Sequence, residues 1–149
     1  MITKTDLRIL RELRKDARQP LTRLSRKTKI PVSTLFERIK SLDRNLINRY
    51  TALLNFEALG FFTKVNLTLK VDKSKRDALK SFLIKHSRVN SLYRINNGFD
   101  FMLEALFYDV KELEWFLGEL DNFKGIKYRV AYVIEELQRE AFMTKKVGG

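Results

Sequence analysis

The sequence predicts an α+β protein in two parts, and three observations support this. Apolar residues recur at helical spacing over residues 6–44, where two prolines interrupt the pattern. After Gly60 the apolar period changes to two, the spacing of a half-buried strand. Positive charge is concentrated at the front, since residues 1–50 contain 14 Lys and Arg against 5 Asp and Glu in a chain of net charge +12. The expected organisation is a basic helical domain over 1–50, a linker over 51–60 and a second domain over 61–149.

Three short helices are predicted in the first domain. The first covers residues 6–16, a second follows Pro20, and the third covers residues 32–44. A short break at residues 29–31 joins the last two. Two helices joined by such a turn form a helix-turn-helix, whose second helix enters the major groove of DNA. The basic charge of this domain favours an anionic partner, so we predict that it binds double-stranded DNA.

The polar face of the third helix supplies the candidate DNA contacts. Ser33, Thr34 and Arg38 are the candidates for base edges, and Arg38 has the geometry to bind guanine in bidentate fashion. Glu37 either orients a neighbouring cation or contacts cytosine, and Ser41 completes the face. The candidates for phosphate contacts are Arg18, Lys29, Lys40 and Arg49. The alternative is a basic three-helix bundle whose charges form a solvated face.

The second domain has the element order β-α-β-β-α-β, which is typical of the ferredoxin-like fold: four antiparallel strands with two helices on one face. Asn97-Gly98 is a hairpin turn signal, and Asp109-x-x-Glu112 is a helix-capping signal. The predicted strands start near Lys64 and then cover 89–96, 99–108 and 126–134; the predicted helices cover 74–86 and the residues after Asp109.

Strands 99–108 and 126–134 carry apolar side chains on both faces, whereas the two helices cover only one face. A second copy of the chain, packed sheet against sheet, is the simplest cover. We therefore predict a homodimer and place Tyr128 and Tyr132 in its interface packing.

Composition excludes several classes of site. The chain has no cysteine, so disulfides, thiolate nucleophiles and the common zinc-finger ligand sets are absent. We expect no cofactor and no metal. We also expect no membrane partner, because no apolar run is long enough to span a bilayer. The expected location is the cytoplasm. The single histidine, His86, ends a predicted helix, which favours a structural role and a protein that is not an enzyme.

Several runs of the sequence resemble the Lrp/AsnC (feast/famine) family of transcription regulators. They are Asp6-Leu7-Arg8-Ile9-Leu10-Arg11-Glu12-Leu13-Arg14-Lys15-Asp16-Ala17-Arg18, Leu24-Ser25-Arg26-Lys27, Glu37-Arg38-Ile39-Lys40-Ser41-Leu42, Tyr50-Thr51-Ala52-Leu53-Leu54-Asn55 and the stretch from Val89 through Phe101-Met102-Leu103. The resemblance implies a homodimer that often assembles into tetramers or octamers, with an amino-acid effector bound between subunits. Asn97-Gly98-Phe99-Asp100 corresponds to the family's Gly-x-Tyr-Asp loop, which makes Asn97, Gly98 and Asp100 the candidate effector contacts. Alternatively, Asp100 only pairs with backbone amides.

Two residues depart from the family pattern near the third helix. Lys29 stands where the family usually has glycine, so it is expected to adopt a positive φ. Pro31 replaces the usual serine cap, so Thr34-x-x-Glu37 is expected to cap the helix one turn later.

The sequence thus predicts a sequence-specific DNA-binding transcription regulator that acts as a homo-oligomer modulated by an amino acid. Two alternatives stay open: an enzyme resembling the sirohaem decarboxylases, which have the same architecture, and a nonspecific DNA-compacting protein.

Overall fold

The computed structural model describes residues 1–146 and divides into two compact units. The first unit contains residues 1–53 together with the described residues after 136, and the second contains residues 54–136. The final segment therefore groups with the helical unit, whereas the sequence placed it with the second domain. Within the described part of the chain, no helix has the length and apolar character needed to cross a bilayer.

Three helices form the first unit: α1 (Lys4–Lys15), α2 (Leu21–Thr28) and α3 (Val32–Asn45). Their apolar stripes meet in one small core, as the helical spacing predicts. The buried side chains of this core are Ile9, Leu24, Ile30, Leu35 and Leu42.

Helix α1 begins two residues earlier than predicted because a capping box holds its first turn. The Thr3 hydroxyl accepts a hydrogen bond from the Asp6 amide (3.1 Å), and the Asp6 carboxylate accepts one from the Thr3 amide (2.8 Å). The Thr-x-x-Asp spacing was a readable signal for this start.

The turn between α2 and α3 has the backbone that the helix-turn-helix requires. Lys29 adopts φ 58° and ψ 37°, so the expectation of a positive φ is confirmed. The expectation of a later cap at Thr34-x-x-Glu37 is wrong. Helix α3 starts at Val32, and the Pro31 carbonyl accepts the Leu35 amide (3.0 Å). Proline suits this position because its fixed φ fits a helix start and it lacks an N–H that would need a cap.

One four-stranded antiparallel sheet forms the centre of the second unit, with strand order β2-β3-β1-β4. Leu67 on the central strand β1 lies opposite Leu103 and Val130. This confirms the predicted element order β-α-β-β-α-β. The last three strands are shorter at their ends than the sequence predicted. The elements are β1 (Thr63–Lys70), α4 (Arg76–Lys85), β2 (Val89–Arg94), β3 (Phe101–Phe107), α5 (Val110–Leu120) and β4 (Lys127–Tyr132).

The two helices cover one face of the sheet and create the larger core. The side chains of Leu67 and Leu103 pack against Leu79 of α4 and Phe116 of α5, all at most 1% exposed. The Glu112 amide donates to the Asp109 carboxylate (2.9 Å), so Asp109 caps α5 as predicted. Tyr128, which the sequence assigned to subunit packing, is partly buried and packs against this core of its own chain.

Residues 54–136 cover the other face of the sheet only in part: Leu106 on β3 is 8% exposed there, whereas the area around Met102 is open. Tyr93 and Met102 are register partners on it, 57% and 38% exposed. Beside them Lys64 forms an ion pair with Glu104 (3.7 Å). An apolar pair next to charged residues is typical of a surface used for contacts.

Candidate nucleic-acid interface

Helix α3 presents a polar face to solvent. Ser33, Thr34, Glu37, Lys40 and Ser41 are all exposed. Their helical spacing places them on one side of α3, while Leu35 and Leu42 are buried on the opposite side, 0% and 3% exposed. The core therefore fixes the rotation of the helix, and that rotation decides which side chains reach a groove.

Arg38, the sequence's candidate for a guanine contact, is paired with an acidic residue of α1. Its Nε donates to Asp6 Oδ1 (2.8 Å), and its Nη2 donates to Asp6 Oδ2. Asp6 is 1% exposed in the first turn of α1. The bidentate pair therefore ties α3 to the start of α1 through the Nε and Nη2 edge of the guanidinium.

The Asp6 carboxylate is strongly held in its ionised form. The hydrogen bond from Arg38 is the main cause that lowers the pKa of Asp6 to about 2, against the opposing effect of burial. The Thr3 hydroxyl and amide add further donors (both 2.8 Å). Each carboxylate oxygen thus has a partner, which a buried charge requires.

Two further residues of α3 belong to its exposed surface and were not singled out from the sequence. Phe36 is 51% exposed, and the Lys40 ammonium lies 5.2 Å from the centre of its ring. Arg44 is exposed in the last turn. The position of Phe36 beside the Leu35, Ile39 and Leu42 stripe, and not in it, was the available sequence signal. Phe can contact a thymine methyl group.

The phosphate candidates lie at element ends. Arg18 precedes α2, Lys29 occupies the left-handed turn position, and Arg49 follows α3; all three are exposed. The Tyr50 hydroxyl donates to Asp43 (2.7 Å), which holds the segment carrying Arg49 beside α3. Burial, with Asp43 as the second cause, raises the pKa of Tyr50 to about 12, so this donor stays protonated.

The effector candidates lie in and beside the β2–β3 turn. Asn97 (φ 67°) and Gly98 (φ 88°) are exposed and left-handed, the pair of conformations that a type I′ hairpin turn uses. Asp100 is 7% exposed and points inward. Its Oδ2 accepts the Val71 amide (2.9 Å), and its Oδ1 pairs with Arg76 (2.9 Å). Both oxygens are therefore used in joining the hairpin to β1 and α4.

His86, which the enzyme alternative would need, is occupied by structural contacts. Its ring packs edge-on against Phe116 at 4.8 Å. Nε2 lies 3.3 Å from Glu119, and Nδ1 accepts the Arg88 amide (3.2 Å). Among residues 1–146, no group of three or more potential metal ligands lies together.

Comparison with known families identifies the family of the chain. A model described as winged helix-turn-helix DNA-binding matches residues 2–45. A model described as the Lrp/AsnC ligand binding domain matches residues 62–141, more than half of the chain. The chain belongs to the Lrp/AsnC family.

Curated relatives of this Lrp/AsnC protein cover almost its whole length. The HTH-type transcriptional regulator FL11 of Pyrococcus abyssi is 28% identical over 140 residues, 93% of each chain. The proline dehydrogenase transcriptional activator of Rhodobacter capsulatus is 31% identical over 123 residues, 80% of each chain. The protein is a DNA-binding transcription regulator with a ligand-binding domain.

Solved structures show the same fold. A transcriptional regulator of Neisseria meningitidis, solved in complex with L-methionine, has a TM-score of 0.87 and 24% identity, covering 93% of this chain and 94% of its own. LrpC of B. subtilis has a TM-score of 0.85 and 22% identity, covering 93% and 98%.

Proposed function

We propose that the protein is a homo-oligomeric regulator that reads specific DNA sequences with α3 and responds to an amino acid. The exposed polar face of α3 carries this proposal: Ser33, Thr34 and Glu37 lie in its first turns, the part of a recognition helix that meets base edges. The relatives named above come from Pyrococcus and Rhodobacter, so we place the site of action in the cytoplasm, where the DNA of a prokaryotic cell lies.

The residues of the interface have different roles in this proposal. Ser33 and Thr34 contact bases. Glu37 accepts a hydrogen bond from cytosine or orients Lys40. Lys40 and Ser41 extend the contact along the major groove of the DNA. Arg38 positions α3 through its pair with Asp6 instead of contacting guanine. The phosphate contacts come from Arg18, Lys29 and Arg49.

The test is selection of bound fragments from genomic DNA, followed by titration of the selected site and of random duplex. The Ser33→Ala/Thr34→Ala variant is expected to lose about 1–3 kcal/mol on the selected site and little on random DNA. The control is Ser81→Ala, which removes an exposed hydroxyl from the surface of α4 in the other unit. It is expected to change neither affinity. Equal losses on both duplexes would show that α3 does not read sequence.

Salt dependence tests the phosphate contacts separately. With three contacts in each protomer of a dimer, affinity for DNA is expected to fall about a thousandfold between about 50 and 200 mM salt. A flat response would contradict the assignment of Arg18, Lys29 and Arg49. Wild-type affinity that is equal on selected and random duplex would instead favour the DNA-compacting alternative.

The ligand-binding match over residues 62–141 supports an effector, and the L-methionine complex of the Neisseria regulator supports an amino acid. Since both Asp100 oxygens are used internally, we assign Asp100 to shaping the loop and leave Asn97 and Gly98 to face the ligand. Thermal unfolding with each proteinogenic amino acid tests this. A ligand at a hundred times its Kd stabilises by about 2.7 kcal/mol, and no shift with any of them would count against an amino-acid effector.

We also infer that the protein is not an enzyme. His86 has partners on both ring nitrogens, and the relatives named above are regulators. Absorption spectra of the protein mixed with haem or sirohaem separate the possibilities, because a specific tetrapyrrole complex would favour the decarboxylase-like alternative.

A further inference from the structure

A groove of about 570 Å³ crosses the first unit at a place that α3 does not reach. Its walls are one face of α1, the end of α2 with the following turn, and residues 144–146. No residue of α3 lines it. The groove therefore differs from the proposed reading face, although Lys29 belongs to both the groove and the phosphate candidates.

The helices alone make the groove strongly basic. Arg8, Arg11 and Lys15 line it from α1, and Lys27 and Lys29 line it from the end of α2.

Little negative charge balances these cations in the groove. Glu12 is the one acidic side chain of its lining. The Glu12 carboxylate lies 2.9 Å from the Lys15 ammonium and 3.6 Å from that of Lys27, and Lys15 is the main cause that lowers the pKa of Glu12. One carboxylate is thus shared between two lysines while the other cations lack an acidic neighbour in the lining.

The last described residues add still more positive charge. Arg14 fixes this segment against α1, since its Nε donates to the Phe142 carbonyl and its Nη2 to the Glu140 carbonyl (both 3.0 Å). The segment then brings Lys145 and Lys146 to the groove. Seven cationic side chains and one acidic one therefore line a single cavity.

We propose that this groove binds a phosphate-bearing anion with several negative charges. Like charges repel, so a cavity with six positive charges in excess is stabilised when a polyanion enters. Two of its cations are arginines, whose planar guanidinium groups match phosphate oxygens. The volume falls within the roughly 300–1,000 Å³ of small-molecule sites. A free polyphosphate compound and the backbone of bound DNA both have this chemistry.

Calorimetric titration of the full-length protein with inorganic tripolyphosphate tests the site without DNA. We expect saturable binding of one tripolyphosphate per protomer. Lys145→Gln/Lys146→Gln is expected to weaken it about tenfold, the sum of two exposed charge contacts. The control is Lys80→Gln/Lys85→Gln, which removes the same charge from the exposed side of α4 and is expected to leave the affinity unchanged.

A second arm identifies the source of the phosphate. The slope of log affinity against log salt is measured for duplex DNA with the same two variants. Tripolyphosphate binding that only the groove variant weakens, with an unchanged DNA slope, supports a free polyphosphate ligand. A DNA slope that becomes shallower by about 2 per protomer only in the groove variant, without saturable tripolyphosphate binding, supports DNA phosphates.

The proposal is overturned if the groove variant and the control have the same tripolyphosphate affinity and the same DNA slope. The cations would then be a solvated surface. Because the first arm contains no DNA, a protein that fails to read sequence can still bind tripolyphosphate, and the two proposals fail separately.

Discussion

At the scale of single residues, the pair between Asp6 and Arg38 changes how the reading helix is understood. Arginine on a recognition helix has the chemistry to read guanine, but here its Nε and Nη2 bind a carboxylate that is 1% exposed. Releasing Arg38 to DNA would leave Asp6 charged and buried, which costs several kcal/mol. The pair therefore sets the orientation of α3, and under the proposed function sequence specificity depends on the smaller polar residues of this helix.

The pair also predicts a pH dependence of stability. The folded pKa of Asp6 is about 2, below the 3.8 of the free side chain. Its contribution, about 2–3 kcal/mol, is therefore present above about pH 4 and is lost as the pH falls toward 2. Amide hydrogen exchange of α1–α3 across this range should show a smaller loss of stability in Asp6→Asn than in the wild-type protein, because Glu12 of α1, whose pKa is also lowered, is present in both.

Asp77→Asn is the control for this prediction, since Asp77 is exposed on α4 and its variant should follow the wild-type profile. An Asp6→Asn variant that loses as much stability as the wild type in this pH window would show that other carboxylates cause the effect.

Periodicity predicts the reading face but not the partner of each residue on it. Ser33, Thr34, Glu37, Lys40 and Ser41 are exposed as expected because helical spacing alone separates them from the buried leucines. The partner of Arg38 lies 32 positions away in the sequence. The spacing of residues in α3 cannot show that Arg38 will pair with Asp6 at the start of α1, even though the Thr-x-x-Asp cap of α1 is visible in the sequence.

At the scale of elements, alanine substitutions at two glycines are predicted to change the stability of the second unit in opposite directions. Gly125 precedes β4 with φ 72°, and a Cβ there would lie 3.1 Å from the Asp72 amide nitrogen. Gly118 lies within α5, where a Cβ would meet nothing within 4 Å. Gly125→Ala should therefore destabilise the second unit by at least about 1–2 kcal/mol. Gly118→Ala should stabilise it by about 1 kcal/mol.

Urea unfolding followed by the fluorescence of Trp115, the single tryptophan, measures both variants. Each serves as control for the other because the chemical change is identical. Similar effects of the two substitutions would mean that the turn before β4 tolerates a side chain.

Element order was predictable because the period of apolar residues differs between helices and strands, but element ends were not. Strand β3 begins at Phe101 instead of the predicted Phe99, since the Asp100 side chain bonds the Val71 amide and Arg76 before the strand starts. Helix α3 begins at Val32 because Pro31 itself takes the cap position. Both ends depend on contacts that the local pattern does not contain.

At the scale of the whole molecule, the separation of charge was predictable and the course of the last segment was not. Composition alone shows that the first fifty residues are basic. The residues after 136 group with the helical unit, where Arg14 donates to carbonyls more than 120 positions away in the sequence. The groove lined by Lys145 and Lys146 could therefore not be found from sequence.

The open face of the sheet gives the prediction for assembly. Tyr93 and Met102 lie side by side on it, and a two-fold axis would pair this patch with its own copy. Burial of a lysine in such a patch is costly, because the charge loses water and the neighbouring Glu104 is already paired with Lys64. Met102→Lys is therefore expected to weaken dimerisation at least tenfold, or by about 1.4 kcal/mol, while Ile84→Lys on the helical side, where Ile84 is 64% exposed, leaves it unchanged. Sedimentation equilibrium at micromolar concentration measures both, with circular dichroism to show that each variant is folded. A wild-type protein that stays monomeric, or an effect of Ile84→Lys alone, would place the subunit contact on a different surface.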